Sequence, residues 1–327
     1  MTIGEIRNEY KNGKTDVKEY RMKLFKKFEE LLEYKNLIND SCVSQITVTG
    51  DDVVFTMDNQ SAKGEPYKIH MAVYQDDWGA VPAAMLSMAE GYEPEELKMV
   101  NTLFSYFGEE DGVCLDIGAN LGWYTLNVCR QYPKVISYAF EPIPQTYEKL
   151  KRNVELNGLE NCRCYNLGLS NENKMMTFFY DLQVSGASSM VDLREAGTTE
   201  KVECQLRRLD EFVEEESFKR IDFIKCDVEG SELFVFEGGL KSIEKYKPVI
   251  FSEMLRKWSA KYHYHPNDII RMFEEIGYQC YVIAEGNKLK QFGYVDEETI
   301  ETNYFFLCPQ VHGEIIRDLC IPEQHNR

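Results

Sequence analysis

The chain has 327 residues, 43% of them hydrophobic, which is enough for one sizeable core and an additional subdomain. Its 55 acidic and 37 basic residues leave a formal net charge of −18, which argues against a nucleic-acid partner or an anionic membrane face. A neutral or cationic small molecule, a glycan or a locally recognised peptide fits that charge better.

No window approaches the ~18 apolar residues of a membrane span. Met1 to Lys14 is polar and mixed in charge, unlike a signal peptide, so a cytoplasmic location is expected. The ten cysteines are scattered, and the Cys162/Cys164 pair has no second Cys/His pair at zinc spacing. Reduced structural thiols and no metal are the expectation.

In chain order, Asp16 to Asn39 reads as an amphipathic helix, with Tyr20, Leu24, Phe25, Phe28, Leu31 and Leu32 forming a packing stripe. Ile46 to Met57 reads as a hairpin turning at Gly50-Asp51-Asp52, and Tyr67 to Tyr74 as a further strand. Glu93 to Phe107 returns to helix. Residues 1–95 are expected to form an N-terminal appendage, 96–310 the main domain and 311–327 a tail.

From Gly112 the texture changes to short apolar runs separated by helical stretches, the pattern of an α/β fold with a mostly parallel sheet. The expected parallel strands are Val113–Ile117, Val135–Phe140, Arg163–Leu167, Ile221–Asp227 and Val249–Glu253. Helices are expected at Leu121–Gln131, at Gln145–Asn157 with Gly158 closing it, and at Asn267–Ile276. Tyr278–Ala284 and Tyr304–Cys308 complete the sheet as a hairpin-like pair.

Three segments carry chemistry. In the first, the apolar run ending at Asp116 breaks into the turn Gly118-Ala119-Asn120-Leu121-Gly122, which opens a helix. Gly118 permits close approach of a ligand, and Gly122 lets the helix pack near the sheet. A carboxylate from Asp116 at that mouth would repel a pyrophosphate and suit a ligand bearing an ammonium and a sulfonium. A purely structural corner is the alternative.

In the second segment, Glu141 ends the next strand 25 residues later, where it can accept both ribose hydroxyls, and Pro142 stops the strand. Otherwise Glu141 is an exposed loop acid. In the third, Ile221 to Glu232 delivers Asp227 and Glu229 to the same sheet edge. There they can bind a cofactor's amino group, deprotonate an acceptor hydroxyl, or cap the following helix. Strand regularity turns Lys225 to the opposite face.

Together these segments resemble the FkbM family of S-adenosylmethionine-dependent methyltransferases, within the class I methyltransferase fold. The resemblance rests on Asp116-Ile117-Gly118-Ala119-Asn120-Leu121-Gly122-Trp123-Tyr124-Thr125, Phe140-Glu141-Pro142, Asn166-Leu167-Gly168-Leu169-Ser170 and Asp222 to Glu232. It runs from about Gly112 to Glu253 and more weakly to Phe306.

It implies a Rossmann-like, mostly parallel seven-stranded sheet with helices on both faces, and O-methylation of a hydroxyl on a sugar, glycan or secondary metabolite. Gly118 and Asn120 would lie against the cofactor's methionine part, Glu141 with Pro142 at the ribose, and the turn around Gly168 near the adenine. Asp116, Gly122 and Asp227 complete the expected cofactor set. Cys226 and Ser231 depart from the family's more usual aliphatic residue and alanine, and the Ser231 hydroxyl is expected to help start its helix.

Weaker features remain. The small-residue stretch within Tyr180–Val191 reads as a substrate lid or a solvated connection. His263, in Tyr262-His263-Tyr264-His265, is a candidate general base beside Asp227 and Glu229. Glu253 is a further edge carboxylate, structural or acceptor-facing, and Trp78 and Trp123 read as core anchors. Homo-oligomerisation is compatible with the appendage. The competing readings are a nicotinamide-dependent oxidoreductase, which would prefer GxGxxG and no acid at position 116, and a non-catalytic module on the same scaffold.

Overall fold

The structure, a computed structural model, describes residues 1–74, 79, 81–108, 110–181 and 199–321. Trp78 and most of the small-residue stretch lie outside the described residues.

The N-terminal part contains helices α1 (Ile3–Lys11) and α2 (Val17–Asn39), then an antiparallel sheet of β1 (Val43–Val48), β2 (Val53–Gln60) and β3 (Pro66–Val73) in that order. Thr2 and Glu5 form a capping box on α1, and Asp16 caps α2. Short α3 (Val81–Ala84) and α4 (Pro94–Phe104) follow.

The main unit then runs β4 (Val113–Ile117), α5 (Trp123–Gln131), β5 (Ile136–Phe140), α6 (Pro144–Leu156), β6 (Cys162–Tyr165), β7 (Gly168–Ser170), β8 (Lys174–Asp181), β9 (Thr199–Arg208) and α7 (Leu209–Glu215). It continues with β10 (Phe223–Cys226), α8 (Glu232–Tyr246), β11 (Val249–Glu253), α9 (Arg256–Ser259), α10 (Pro266–Glu275), β12 (Gln279–Ala284), β13 (Lys288–Gln291), β14 (Asn303–Leu307) and α11 (Gly313–Leu319).

The large sheet is ordered β13-β12-β14-β11-β10-β4-β5-β6. Its core is parallel, and β14 inserts antiparallel between β11 and β12. The seven expected strands are present, and β13 adds an eighth by pairing antiparallel with β12 at the edge. Between β10, β4 and β5 the strand order reverses, which opens a crevice at the carboxyl ends of these strands.

Side-chain alternation gives the sheet two cores. Cys114, Phe223, Phe251 and Phe305 face α4, α5 and α6 through Leu103, Leu126 and Leu150. Leu115, Ile224, Ile250 and Phe306 face α7, α8 and α10 through Phe212, Phe236 and Phe273. Trp123 is buried in the first core, as its apolar bulk suggested.

The N-terminal sheet joins that same first core through Phe55, Met57, Ile69 and Met71. Its edge strand β3 is satisfied by amides rather than by another strand. Asn153 accepts from Ala72 N and donates to Leu121 O, both at 2.9 Å, while Asn157 accepts from His70 N and donates to His70 O. Two asparagines one turn apart, Asn153 in the last turns of α6 and Asn157 at its C-cap, thus pair with an open strand edge.

Asn153 is fully buried, so Asn153→Ala leaves the Ala72 N–H and the Leu121 C=O without partners. The expected cost is about 2–4 kcal/mol, seen as a lowered Tm in thermal unfolding followed by circular dichroism. A loss below about 0.5 kcal/mol, the ordinary range of a surface substitution, would contradict this role for the amide.

The amphipathic stripe on α2 meets a different fate from the expected packing. No residue of this 23-residue helix is buried, and Phe25, Phe28, Leu31 and Leu32 are each about half exposed. The periodicity shows that α2 has an apolar face, and among the described residues none buries its Phe25, Phe28, Leu31 and Leu32.

Candidate functional site

The turn after β4 is built from alternating left-handed residues: Gly118 at φ +76°, Asn120 at +48° and Gly122 at +92°. At Gly118 a Cβ would stand 1.9 Å from the Asp227 backbone oxygen, so only glycine lets the two crossover turns touch. At Gly122 a Cβ would meet Leu150 at 2.6 Å, which is the expected close helix packing. The amides of Gly118 and Ala119 both donate to Phe140 O, tying the turn to the end of β5.

Asp116 does not reach the mouth of the crevice, which corrects the expectation that its carboxylate faces a ligand. It is 1% exposed and turned back beneath the turn, where its Oδ2 accepts from Thr125 N at 3.1 Å and Thr125 Oγ1 at 2.6 Å. Set against the first turn of α5, this β4 carboxylate complements the helix dipole. Burial raises its pKa, opposed mainly by the nearby Lys225 charge.

Glu141 is 6% exposed at the end of β5. Its two oxygens accept from Asn120 N at 3.0 Å and Ile143 N at 2.9 Å, leaving further lone pairs for a ligand. Burial pushes its carboxyl up to about 7 despite those two amides. Asn166 donates to Glu141 O and Pro142 O, so the turn before β7 is held against this strand end.

After β10 the chain places Asp227 and Glu229 at the crevice, the latter at φ +53°. Neither caps α8. Glu232 supports that turn instead, accepting from Val228 N, Gly230 N and the Tyr264 hydroxyl, and burial raises its carboxyl to about 7. The Ser231 hydroxyl donates back to Val228 O rather than capping the helix.

Lys225 does not turn away from this group, because positions 225 and 227 share a face. Its Nζ lies 3.1 Å from Asp227 Oδ2, 3.2 Å from Gly118 O and 3.9 Å from Asp116 Oδ1. The surrounding carboxylates outweigh burial, which alone would lower it, and raise its pKa, so the lysine stays charged.

Glu253, at the end of β11, faces Asp227 within hydrogen-bonding reach. Burial, together with the adjacent charges of Asp227 and Glu229, raises its carboxyl far above the usual carboxylate range and favours its protonated form. His263 is remote from this constellation: it sits exposed at φ +62° on the turn before α10 and is not part of the crevice wall.

The crevice holds about 830 Å³ of space, part of it open to solvent. One end is apolar, formed by Ile143, Leu169, Phe178 and Leu206 with Gly168 between them. Phe178 and Leu206 come from a separate three-stranded sheet ordered β7-β9-β8. The other end holds Tyr92, Asp227, Glu229 and Glu253. Among the described residues the wall contains four carboxylates, counting Glu141, and neither lysine nor arginine.

Beside Tyr92, half-buried Glu93 accepts a hydrogen bond from the Tyr124 hydroxyl, and desolvation raises its carboxyl. Sequence reasoning missed Tyr92, Glu93, Phe178 and Leu206. Their placement depends on long-range pairing, and the only local signal is Glu93 standing just before Pro94 at the start of α4.

The methyltransferase FkbM domain model matches residues 116–280, half of the chain. Methyltransferase 1 of Beauveria bassiana is 30% identical over 146 residues, covering 39% of this chain and 59% of that protein. The 2-O-methyltransferase NoeI of Sinorhizobium fredii is 27% identical over 162 residues, covering 46% of this chain and 66% of its own length.

The chain therefore spans less than two thirds of either relative. The solved structure of methyltransferase FkbM from Methylobacillus flagellatus is 15% identical, with a TM-score of 0.38, covering 61% of this chain and 44% of that one. The matched span contains the turn at Gly118, Glu141, Asp227 and Glu253. The chain belongs to the FkbM methyltransferase domain family.

Proposed function

We propose that this protein transfers a methyl group from S-adenosylmethionine to a hydroxyl oxygen of a sugar, glycan or small metabolite. The observation that carries this reading is the crevice wall, which is apolar at one end, lined with carboxylates at the other and free of lysine and arginine among the described residues. An adenine suits the first end, a ribose suits Glu141 between them, and an ammonium and a sulfonium suit the second. A pyrophosphate would meet carboxylates on the wall, and the one nearby ammonium, Lys225, is already engaged by Asp227 and Gly118 O, which disfavours a nicotinamide dinucleotide.

The residues present fit the cofactor. Among the described residues, Asn120 Oδ1 is buried without a partner at the turn, and Glu141 has only backbone donors on its carboxylate. Ile143, Leu169, Phe178 and Leu206 would hold the base, Glu141 the ribose hydroxyls, and Gly118, Asn120 and Asp227 the amino-acid part. When bound, S-adenosylmethionine supplies an electrophilic methyl group for one in-line displacement.

The chain's own contribution is to align the acceptor and take its proton. Asp227 is oriented by the Lys225 ammonium and by the proton that Glu253 retains, and it accepts the hydroxyl proton as the oxygen attacks. Oxygen as the target is supported by the likeness to a 2-O-methyltransferase. Tyr92 lies on the crevice wall and precedes the family match, which supports a share in acceptor recognition for the N-terminal region before about residue 95. The ten free thiols suit a reducing, cytoplasmic setting.

Calorimetry tests the donor assignment. The expected result is stoichiometric binding of S-adenosylmethionine and no heat with NAD; tight NAD binding without S-adenosylmethionine binding would overturn it.

A further inference from the structure

Glu93 opens α4 at φ +46°, in the left-handed region that an acidic residue seldom adopts, and its side chain makes no cap for that helix. Its carboxylate accepts from the Tyr124 hydroxyl instead. Tyr92, the residue before it, meets Trp123 with ring centroids 6.5 Å apart and planes at 89°. Two consecutive residues, 92 and 93, are thus held by the first two residues of α5, the helix that the Gly118–Gly122 turn opens. An uncommon backbone conformation and a forgone cap cost stability locally, so what they hold in place is a candidate for function.

What they hold is the Tyr92 ring, on the crevice wall beside Asp227, Glu229 and Glu253. The perpendicular contact with Trp123 leaves at least one face of the Tyr92 ring uncovered by the indole. Burial and the charges of Glu93, Asp227 and Glu253 raise the phenol far above its usual range, so the ring stays neutral. Among the described residues Tyr92 is the one aromatic side chain at this end of the wall, and Phe178 stands at the other.

The two positive groups of the proposed donor make different demands. An ammonium donates hydrogen bonds, which a carboxylate such as Asp227 accepts. A sulfonium has no N–H or O–H to donate and is held by diffuse negative potential, which the face of a neutral aromatic ring supplies. On the reading that S-adenosylmethionine is the donor, we infer that Tyr92 packs its ring against the sulfonium and that Glu93 and Tyr124 are positioning residues that seat it there. The N-terminal region, which precedes the family match, then contributes to the donor site as well as to the acceptor side.

Calorimetry with S-adenosylmethionine and with S-adenosylhomocysteine tests this without an acceptor, since the two differ only in the methyl group and the sulfonium charge. Tyr92→Leu is expected to weaken S-adenosylmethionine by about 3- to 30-fold and S-adenosylhomocysteine by less than about twofold, while Tyr92→Phe keeps the wild-type ratio. Tyr124→Phe keeps the ring that packs on Phe251 but loses the hold on Glu93. It should shift the ratio in the same direction, and it carries the test if Tyr92→Leu fails to fold. Equal weakening of both ligands by folded Tyr92→Leu, a ratio unchanged in both Tyr92→Leu and Tyr124→Phe, or a Tyr92→Phe variant as impaired as the leucine one would overturn the inference. A wild type that binds neither ligand would instead overturn the donor assignment on which it rests.

Discussion

Glu141→Gln is expected to weaken S-adenosylmethionine binding by about 100-fold or more, measured by calorimetry. Both Glu141 oxygens accept from backbone amides, so a glutamine must aim its NH2 at either Asn120 N–H or Ile143 N–H. It would also lose the charge that strengthens hydrogen bonds to two ribose hydroxyls. Charge-assisted bonds contribute about 1.5–3 kcal/mol each, and about 1.4 kcal/mol is tenfold in affinity.

The same residue sets a pH dependence. Burial raises the Glu141 carboxyl to about 7, and the ionised form is the better acceptor. Donor affinity is therefore expected to be flat above pH 7 and to fall towards tenfold per unit below it, with no such slope in the glutamine variant. Stability of the unliganded protein runs the other way. An acid raised in the folded state favours folding below its unfolded pKa and loses that advantage as pH rises through about 7, and Glu232 behaves alike. The Tm of the unliganded protein should fall between pH 5 and 8, and donor should offset part of that fall. A donor affinity independent of pH would contradict the placement of Glu141 at the ribose.

Asp227→Asn is expected to lower the rate of methyl transfer by about 10²- to 10⁴-fold, the usual contribution of a positioned general base. Its donor affinity should stay within about tenfold of wild type, because the apolar wall and Glu141 are intact. Lys225 keeps Gly118 O and the nearby Asp116 charge as partners, so the fold should survive. Single-turnover transfer from labelled donor separates the two effects. Full activity in this variant would remove Asp227 from the chemistry, and lost donor binding would assign it to the cofactor alone.

Much of the scaffold was legible because short apolar strands ending in Asp116, Glu141 and Asp227, each followed by a helix, have few alternative arrangements. The glycine-spaced turn was equally plain, since Gly118 and Gly122 adopt the backbone that their spacing suggested. Side-chain direction was not. A carboxylate at the end of β4 can face the crevice or turn under it, and Thr125, nine residues away, decides the matter by offering two donors.

The negative charge at the crevice therefore comes from Asp227 and Glu229 rather than Asp116. The apolar wall was hidden for a different reason: Phe178 and Leu206 meet through a sheet whose strands β8 and β9 are separated by a long connection. His263 drew attention as an imidazole, but it stands exposed on its turn and outside the crevice wall.

The most direct measurement is transfer of labelled methyl from S-adenosylmethionine into a fractionated extract, with wild type and Asp227→Asn side by side. Label should appear in a hydroxyl-bearing product as an alkali-stable ether with wild type and be nearly absent with the variant. Equal labelling by both proteins, or label on nitrogen or carbon, would contradict an oxygen methyltransferase working through this site.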